Sequence, residues 1–181
     1  MSCFRPLQAF KSPFLNPTSG KSVIMFSSLS FDDIRIDLPC GQCIGCRLER
    51  SRQWAMRCFH EASLHDRNCF ITLTYNDKFL PKDRSLYYPH FQKFMKRLRK
   101  KFGDGIKFYM CGEYGDQFGR PHFHACIFNH DFSDKVFWKY SSASNKFGRK
   151  GAQIPLYRSN DLEELWSCPK TGLSYGYSSI S

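Results

Sequence analysis

His122 and His124 stand two residues apart in Gly119-Arg-Pro-His-Phe-His-Ala-Cys-Ile-Phe128. On a β-strand, positions i and i+2 point to the same side. Both imidazoles would therefore share one face while Phe123, Ala125 and Ile127 turn toward a core. Neutral imidazole is a common ligand for divalent metal ions. Two rings need a carboxylate to make a minimal site, and Glu113 lies nine residues earlier in Cys111-Gly-Glu-Tyr-Gly115. A hairpin joining the two segments would set Glu113 beside the histidines on the adjacent strand. The competing readings are a pair of partly exposed strand histidines and a surface ion pair between Glu113 and Arg120.

A second group carries thiols. Cys40, Cys43 and Cys46 are each separated by two residues in Pro39-Cys-Gly-Gln-Cys-Ile-Gly-Cys-Arg47. That spacing suits a tight knuckle closing on Zn²⁺, with Gly41 and Gly45 permitting the turns, but a structural zinc site takes four ligands. Cys3 is the leading fourth candidate, provided that the amino-terminal arm folds back; Cys58 and His60 are its rivals. The plain alternative is three reduced cysteines in a loop ahead of a helix. An iron–sulfur cluster would use the same thiols, although nothing else in the sequence suggests redox work.

Gly119 to Phe128 resembles the His-hydrophobic-His strand of nickases that start rolling-circle replication, and Phe70-Ile-Thr-Leu-Thr-Tyr75 is similar to the Thr-rich strand that precedes it there. More narrowly, the chain resembles the replication initiators of small single-stranded DNA phages of the gokushovirus type (Microviridae). Met1-Ser-Cys-Phe4, the cysteine run and Gly112-Glu-Tyr-Gly115 also carry that likeness, which extends from Cys3 to about Trp166. The resemblance implies that Glu113, His122 and His124 bind Mg²⁺ or Mn²⁺. It also implies that a tyrosine attacks the scissile phosphate, leaving a 5′-phosphotyrosyl enzyme and a free 3′-hydroxyl that primes synthesis. In such proteins the tyrosine sits on a helix after the His strand, usually followed by a lysine. Here the tyrosines after Phe128 are Tyr140, Tyr157, Tyr175 and Tyr177, none in an amphipathic helix with a trailing lysine. Tyr175 and Tyr177 are the remaining candidates for the nucleophile. The expectation is an amino-terminal part of a longer initiator with the tyrosine helix missing.

The elements that must position these groups are legible from hydrophobic periodicity. Residues 1–46 read as an irregular arm with the cysteine cluster, and 47–181 as an α+β domain cut short at its carboxyl end. A helix is expected from Ile44 to about His65, with Leu48, Ala55, Phe59 and Ala62 near a 3.6-residue period. Cys69 to Tyr75 alternates as a strand, with Thr72 and Thr74 on one face. A second helix opens at Pro89 and ends at Gly103, burying Phe91, Phe94, Met95, Leu98 and Phe102. Ile106 to Cys111 is a strand, Gly115 to Gly119 a turn, and Pro121 to Phe128 its hairpin partner. A short helix follows over 161–166, with Asn160 as cap and Glu163 closing a capping box. This order suggests a central antiparallel sheet with helices on one face.

Charge narrows the partner. The 27 Lys and Arg against 16 Asp and Glu, a net charge of +11, favour a polyanion, nucleic acid before an anionic membrane. Phosphate contacts are expected from Arg84, Lys93, Lys96, Arg97, Arg99, Lys100 and Lys101 around the second helix, from Arg47 and Arg50 beside the cysteines, and from Arg120 beside the histidines. Aromatic residues make up 17% of the chain, more than a core of this size needs, so some could stack on unpaired bases. The lack of a transmembrane run or signal core, and an odd count of nine cysteines, lead to the expectation of a protein of the bacterial host's cytoplasm, without a disulfide framework. Two functions compete. One is a metal-dependent nickase of single-stranded DNA at a phage origin; the other is a non-catalytic, zinc-containing nucleic-acid-binding module.

Overall fold

The computed structural model describes residues 3–28, 32–116, 118–141 and 153–181. The chain divides into two compact units, Met1–Arg57 and Cys58–Ser181. Helix α1 (Ile44–Ser63) runs through the division.

In the first unit the stretch expected to be irregular is a three-stranded antiparallel sheet. Its strands are β1 (Leu7–Leu15), β2 (Ser22–Met25) and β3 (Ile34–Leu38), in the order β2-β1-β3. The correction has a physical cause. Of the strand residues only Ala9 and Ser12 are buried, so no apolar alternation marks the strands, and Pro13 interrupts β1.

The second unit holds a six-stranded sheet in the order β5-β6-β4-β9-β8-β7, with every pairing antiparallel. The strands are β4 (Asn68–Thr74), β5 (Lys107–Tyr114), β6 (Pro121–Phe128), β7 (Val136–Tyr140), β8 (Pro155–Arg158) and β9 (Ser178–Ile180). One face is apolar. Ile71, Leu73, Phe123, Ala125, Ile127 and Ile180 meet Phe91, Phe94, Met95 and Leu98 of α2 (Tyr88–Phe102), with Leu162 and Leu165 of α3 (Asn160–Leu165). Burying each of these larger side chains stabilises the fold by about 1.5–3 kcal/mol. Helices α2 and α3 thus cover one face. The last turns of α1 carry Cys58 to the opposite face, where its thiol meets Cys126. The turn expected over 115–119 includes Gln117, which lies outside the described residues, as do Met1 and Ser2 of the amino-terminal motif.

Helix α3 is capped one residue earlier than the sequence suggested. Ser159, not Asn160, takes the extended cap conformation, and its hydroxyl oxygen accepts the Leu162 N–H at 3.1 Å. Asp134 holds that serine by accepting its hydroxyl proton at 2.6 Å, and also accepts the Asp161 N–H. Glu163 pairs with Arg158 instead of closing a box.

Gly176 is the tightest packing point of the sheet. A Cβ there would lie 2.4 Å from the Thr74 carbonyl oxygen and 2.6 Å from the Asn76 nitrogen, both backbone atoms of the neighbouring chain segment. Backbone cannot rotate aside, so Gly176→Ala is expected to cost about 1–3 kcal/mol, the range for overpacking a core. Urea unfolding measures it, and a midpoint equal to that of the parent would contradict the close approach. No helix among the described residues is long and apolar enough to cross a membrane.

Candidate metal centre and the face around it

The apolar face of the sheet fixes the polar one. Because Phe123, Ala125 and Ile127 point into the core, His122 and His124 must point to the other side. The β5–β6 register pairs Glu113 with His122 and Cys111 with His124. Strand β5 runs three residues further than Ile106–Cys111 suggested, and the extension is what puts Glu113 directly opposite His122. The sequence placed this acid only through a hairpin.

The three side chains converge. Both His122 Nε2 and His124 Nε2 lie 2.9 Å from Glu113 Oε1. The Nδ1–H of His122 donates to the Arg120 carbonyl at 3.0 Å, and His124 Nδ1 lies 2.9 Å from the Thr72 hydroxyl. Each ring is therefore anchored through Nδ1 and aims Nε2 at the same carboxylate oxygen. A neutral His122 with its proton on Nδ1 would set a nitrogen lone pair against an oxygen lone pair, which is repulsive. The arrangement calls for positive charge at that point, either an extra proton on the ring or a bound cation. The hydrogen bond from His122 holds the Glu113 carboxyl below its usual range, against the opposing effect of burial, so the anion is favoured.

The donor set fits a divalent ion. Cis ligands of an octahedral ion with bonds of about 2.1 Å lie about 3 Å apart, close to the separations here. One carboxylate and two imidazoles suit Mg²⁺ or Mn²⁺, with imidazole moving the preference toward Mn²⁺. Backbone or hydroxyl partners on the outer ring nitrogen recur in ligating histidines. The alternative ion pair of Glu113 with Arg120 is not formed: Arg120 donates to Asp77 at 2.5 Å and to the Tyr75 carbonyl at 2.8 Å.

The register extends this site across the sheet. Thr74 pairs with His122, and one further step from Leu73↔Ser178 sets Tyr177 opposite Thr74. The Tyr177 carbonyl accepts both the Thr74 N–H and the Thr74 hydroxyl. Glu113, His122, Thr74 and Tyr177 thus form a row over four chain segments, with Tyr177 about 10 Å from His122 by strand spacing. Tyr177 is 65% exposed. Its ring lies over the Arg158 guanidinium at 5.6 Å, and Trp138 lies on the same guanidinium at 5.4 Å. Sequence reading missed Trp138 and Arg158. A tryptophan among exposed residues was the available signal, but the strands that pair them carry no alternation.

Tyr175 does not belong to this face. It is 3% exposed, stacks on His90 at 4.3 Å and packs on Trp166, so burial pushes its hydroxyl pKa up. That removes it as a nucleophile.

The basic residues of α2 lie on the core side, across the sheet from the histidines. Arg97 donates to the carbonyls of Leu165 and Ser167, and Arg99 to that of Ile106. Lys101 pairs with Asp161 and Glu164. These three, expected as phosphate contacts, are instead held by protein acceptors, as is Arg120. Lys93, Lys96, Lys100, Arg84, Arg47 and Arg50 are exposed.

In the first unit, Cys3, Cys40, Cys43 and Cys46 bring their sulfurs within 4.8 Å of one another. The Cys46 and Phe4 N–H groups draw the Cys43 thiol down to about 6, whereas burial pushes Cys46 up to about 12. Cys58 is not part of this group.

A family model of phage-type replication-associated proteins, described by its ORF2 member as "Replication-associated protein ORF2", matches residues 68–178. The replication-associated protein VP4 of Bdellovibrio phage phiMH2K is 34% identical over 92% of this chain and 51% of its own length. The ORF2 protein of Spiroplasma virus 4 is 36% identical over 74% of this chain and 46% of its own length. The ORF4 protein of Chlamydia phage 1 is 38% identical over 71% and 32%. The chain thus spans about half the length of these relatives, or less. No solved structure matches it.

Proposed function

The chain belongs to this family of phage replication-associated proteins, and from that premise we propose that it binds single-stranded DNA at a phage origin and supports metal-dependent nicking there, inside the bacterial host. The convergence of Glu113, His122 and His124 on one point carries the reading. A divalent ion at that point would polarise the scissile phosphate and offset charge on its oxygens. Thr72 and the Arg120 carbonyl hold the rings in place, and Arg120, tied to Asp77 and the Tyr75 carbonyl, fixes the start of β6. The reaction class is transesterification. A tyrosine hydroxyl forms a bond to phosphorus while the bond to the 3′ oxygen breaks, leaving a 3′-hydroxyl. Tyr177 is the tyrosine candidate on the row of the site, although its ring leans over Arg158, away from His122.

The Trp138–Arg158–Tyr177 stack extends the face by which an unpaired strand would lie across the sheet, with bases on the rings and phosphates toward the ion. Glu163 pairs with Arg158, so the stack offers ring faces more than free charge. Base–aromatic stacking is worth about 1–3 kcal/mol per base. Trp138→Ala is therefore expected to weaken single-stranded DNA binding about tenfold, with the salt dependence unchanged because no phosphate contact is lost. Fluorescence anisotropy at two salt concentrations measures both. Unaltered affinity would remove Trp138 from the binding face.

The reading itself is tested with a labelled single-stranded origin oligonucleotide, with Mn²⁺ or with chelator. Tighter binding with Mn²⁺ is expected, and the difference should vanish in His122→Ala. Equal affinities in the parent protein would contradict the reading. A covalent protein–DNA adduct that is lost in Tyr177→Phe would assign the attack to that residue. The zinc-containing module without catalysis would bind DNA equally with and without Mn²⁺.

A further inference from the structure

We propose that Cys3, Cys40, Cys43 and Cys46 bind one structural Zn²⁺ ion, and that this ion supplies the stability that the first unit lacks in its core. The sulfurs already stand as a closed set. Cys3 Sγ and Cys43 Sγ are 3.9 Å apart, and all four lie within 4.8 Å of one another. The backbone is turned toward them. Cys43 N–H donates to Cys40 Sγ and Cys46 N–H to Cys43 Sγ, the two successive steps of the Cys-x-x-Cys-x-x-Cys run. Phe4 N–H also donates to Cys43 Sγ, and Cys40 N–H to Cys3 Sγ, which ties the amino-terminal residues into the knuckle. Amide hydrogens aimed at sulfur suit thiolates rather than thiols. Gly41, at φ +74, takes the left-handed conformation that lets the chain turn between the first two cysteines.

The chemistry selects the ion. Four thiolates are soft donors, and a closed tetrahedral set without an open position is the pattern of structural zinc. The hard ions that suit the Glu113 site do not compete well for sulfur.

The second observation is the near absence of an apolar core. Among the described residues of the first unit only Ala9, Ser12, Gly45 and Cys46 are buried. Phe4, Phe14, Leu15, Ile24, Phe26 and Ile34 are exposed. Yet these residues form a three-stranded sheet with regular register. A unit of this size with no buried aliphatic or aromatic cluster needs a staple. Because such a site does not exist in the unfolded chain, the binding energy of the ion becomes folding energy.

The test uses the whole chain. Metal analysis after extensive dialysis against Mg²⁺ should give about one zinc per chain, absent in Cys40→Ser and Cys43→Ser. Replacement by Co²⁺ should give sulfur-to-cobalt charge-transfer absorption. Hydrogen exchange reads the structural consequence. After chelation the amides of Phe10 and Lys11 should lose protection, while those of Ile71 and Leu73 keep theirs, so local melting is distinguished from global unfolding. Glu113, His122 and His124 are untouched throughout, so failure here leaves the nicking proposal standing, and the reverse. Iron with acid-labile sulfide, a Cys3–Cys43 disulfide in the peptide map, or a metal-free protein with β1 still protected would each overturn the proposal.

Discussion

In Glu113→Gln the affinity for Mn²⁺ is expected to fall by at least about 100-fold, while thermal stability barely changes. Glutamate 113 is the anionic donor of the set, and both histidine ligands must be neutral to bind metal. The amide of glutamine keeps the size but not the charge. Loss of a mere outer partner of a ligand costs about 10–100-fold, so loss of the charged ligand itself belongs at or beyond the upper end. Thr72→Val supplies the comparison. It removes the hydroxyl 2.9 Å from His124 Nδ1 but no ligand, and should cost about tenfold. Stability is spared because the Glu113 side chain is 55% exposed. Titration of Mn²⁺ followed by its free-ion resonance measures both variants. A Glu113→Gln protein that binds Mn²⁺ as tightly as the parent would show that the carboxylate is no ligand.

The largest expected loss of stability belongs to Trp166→Ala. Trp166 has no exposed surface and its ring packs against Tyr75, Phe94, Phe123 and Tyr175. Its indole N–H donates to the Thr74 carbonyl at 2.7 Å. Truncation removes the ring, leaves a cavity and costs about 3–5 kcal/mol. The Thr74 carbonyl loses that donor, adding about 1 kcal/mol or more. The sum is a large share of the about 5–15 kcal/mol that holds a domain folded. Because Thr74 pairs with His122, the damage reaches the sheet under the metal site. Trp166→Phe keeps most of the ring and should cost markedly less. Urea unfolding of the two variants gives both values, and a cost below about 1 kcal/mol for Trp166→Ala would show that the core tolerates the gap.

How much of this was legible in the sequence depends on what each segment buries. Strand β6 alternates strictly, because one side meets α2 and the other carries the histidines, so its faces and the convergence on Glu113 could be inferred. Helix α2 was equally clear, since Phe91, Phe94, Met95 and Leu98 recur at helical spacing against a run of lysines and arginines. Strands β1 to β3 and β7 bury little, and a period of two leaves no trace where neither face is covered. Three of the four clustered cysteines follow from spacing. Cys3 lies 37 residues before Cys40, and only the fold brings it in. Charge gave the sign of the partner but not the side of the sheet. The cations of α2 sit across the sheet from the histidines, and Arg97 and Arg99 turn to backbone carbonyls that their sequence neighbours do not reveal. Conversely, Trp138 and Arg158 stand 20 residues apart and meet only because β7 pairs with β8.

The central claim, that Glu113, His122 and His124 hold one divalent ion, is tested most directly by electron spin-echo spectroscopy of the Mn²⁺-loaded protein. Imidazole nitrogen bound to Mn²⁺ modulates the echo, and sulfur or carboxylate oxygen does not. Two coupled nitrogens are expected in the parent protein, one in His122→Ala and one in His124→Ala. A bound Mn²⁺ whose echo shows no nitrogen, or one unaffected by either substitution, would place the ion elsewhere and contradict the account.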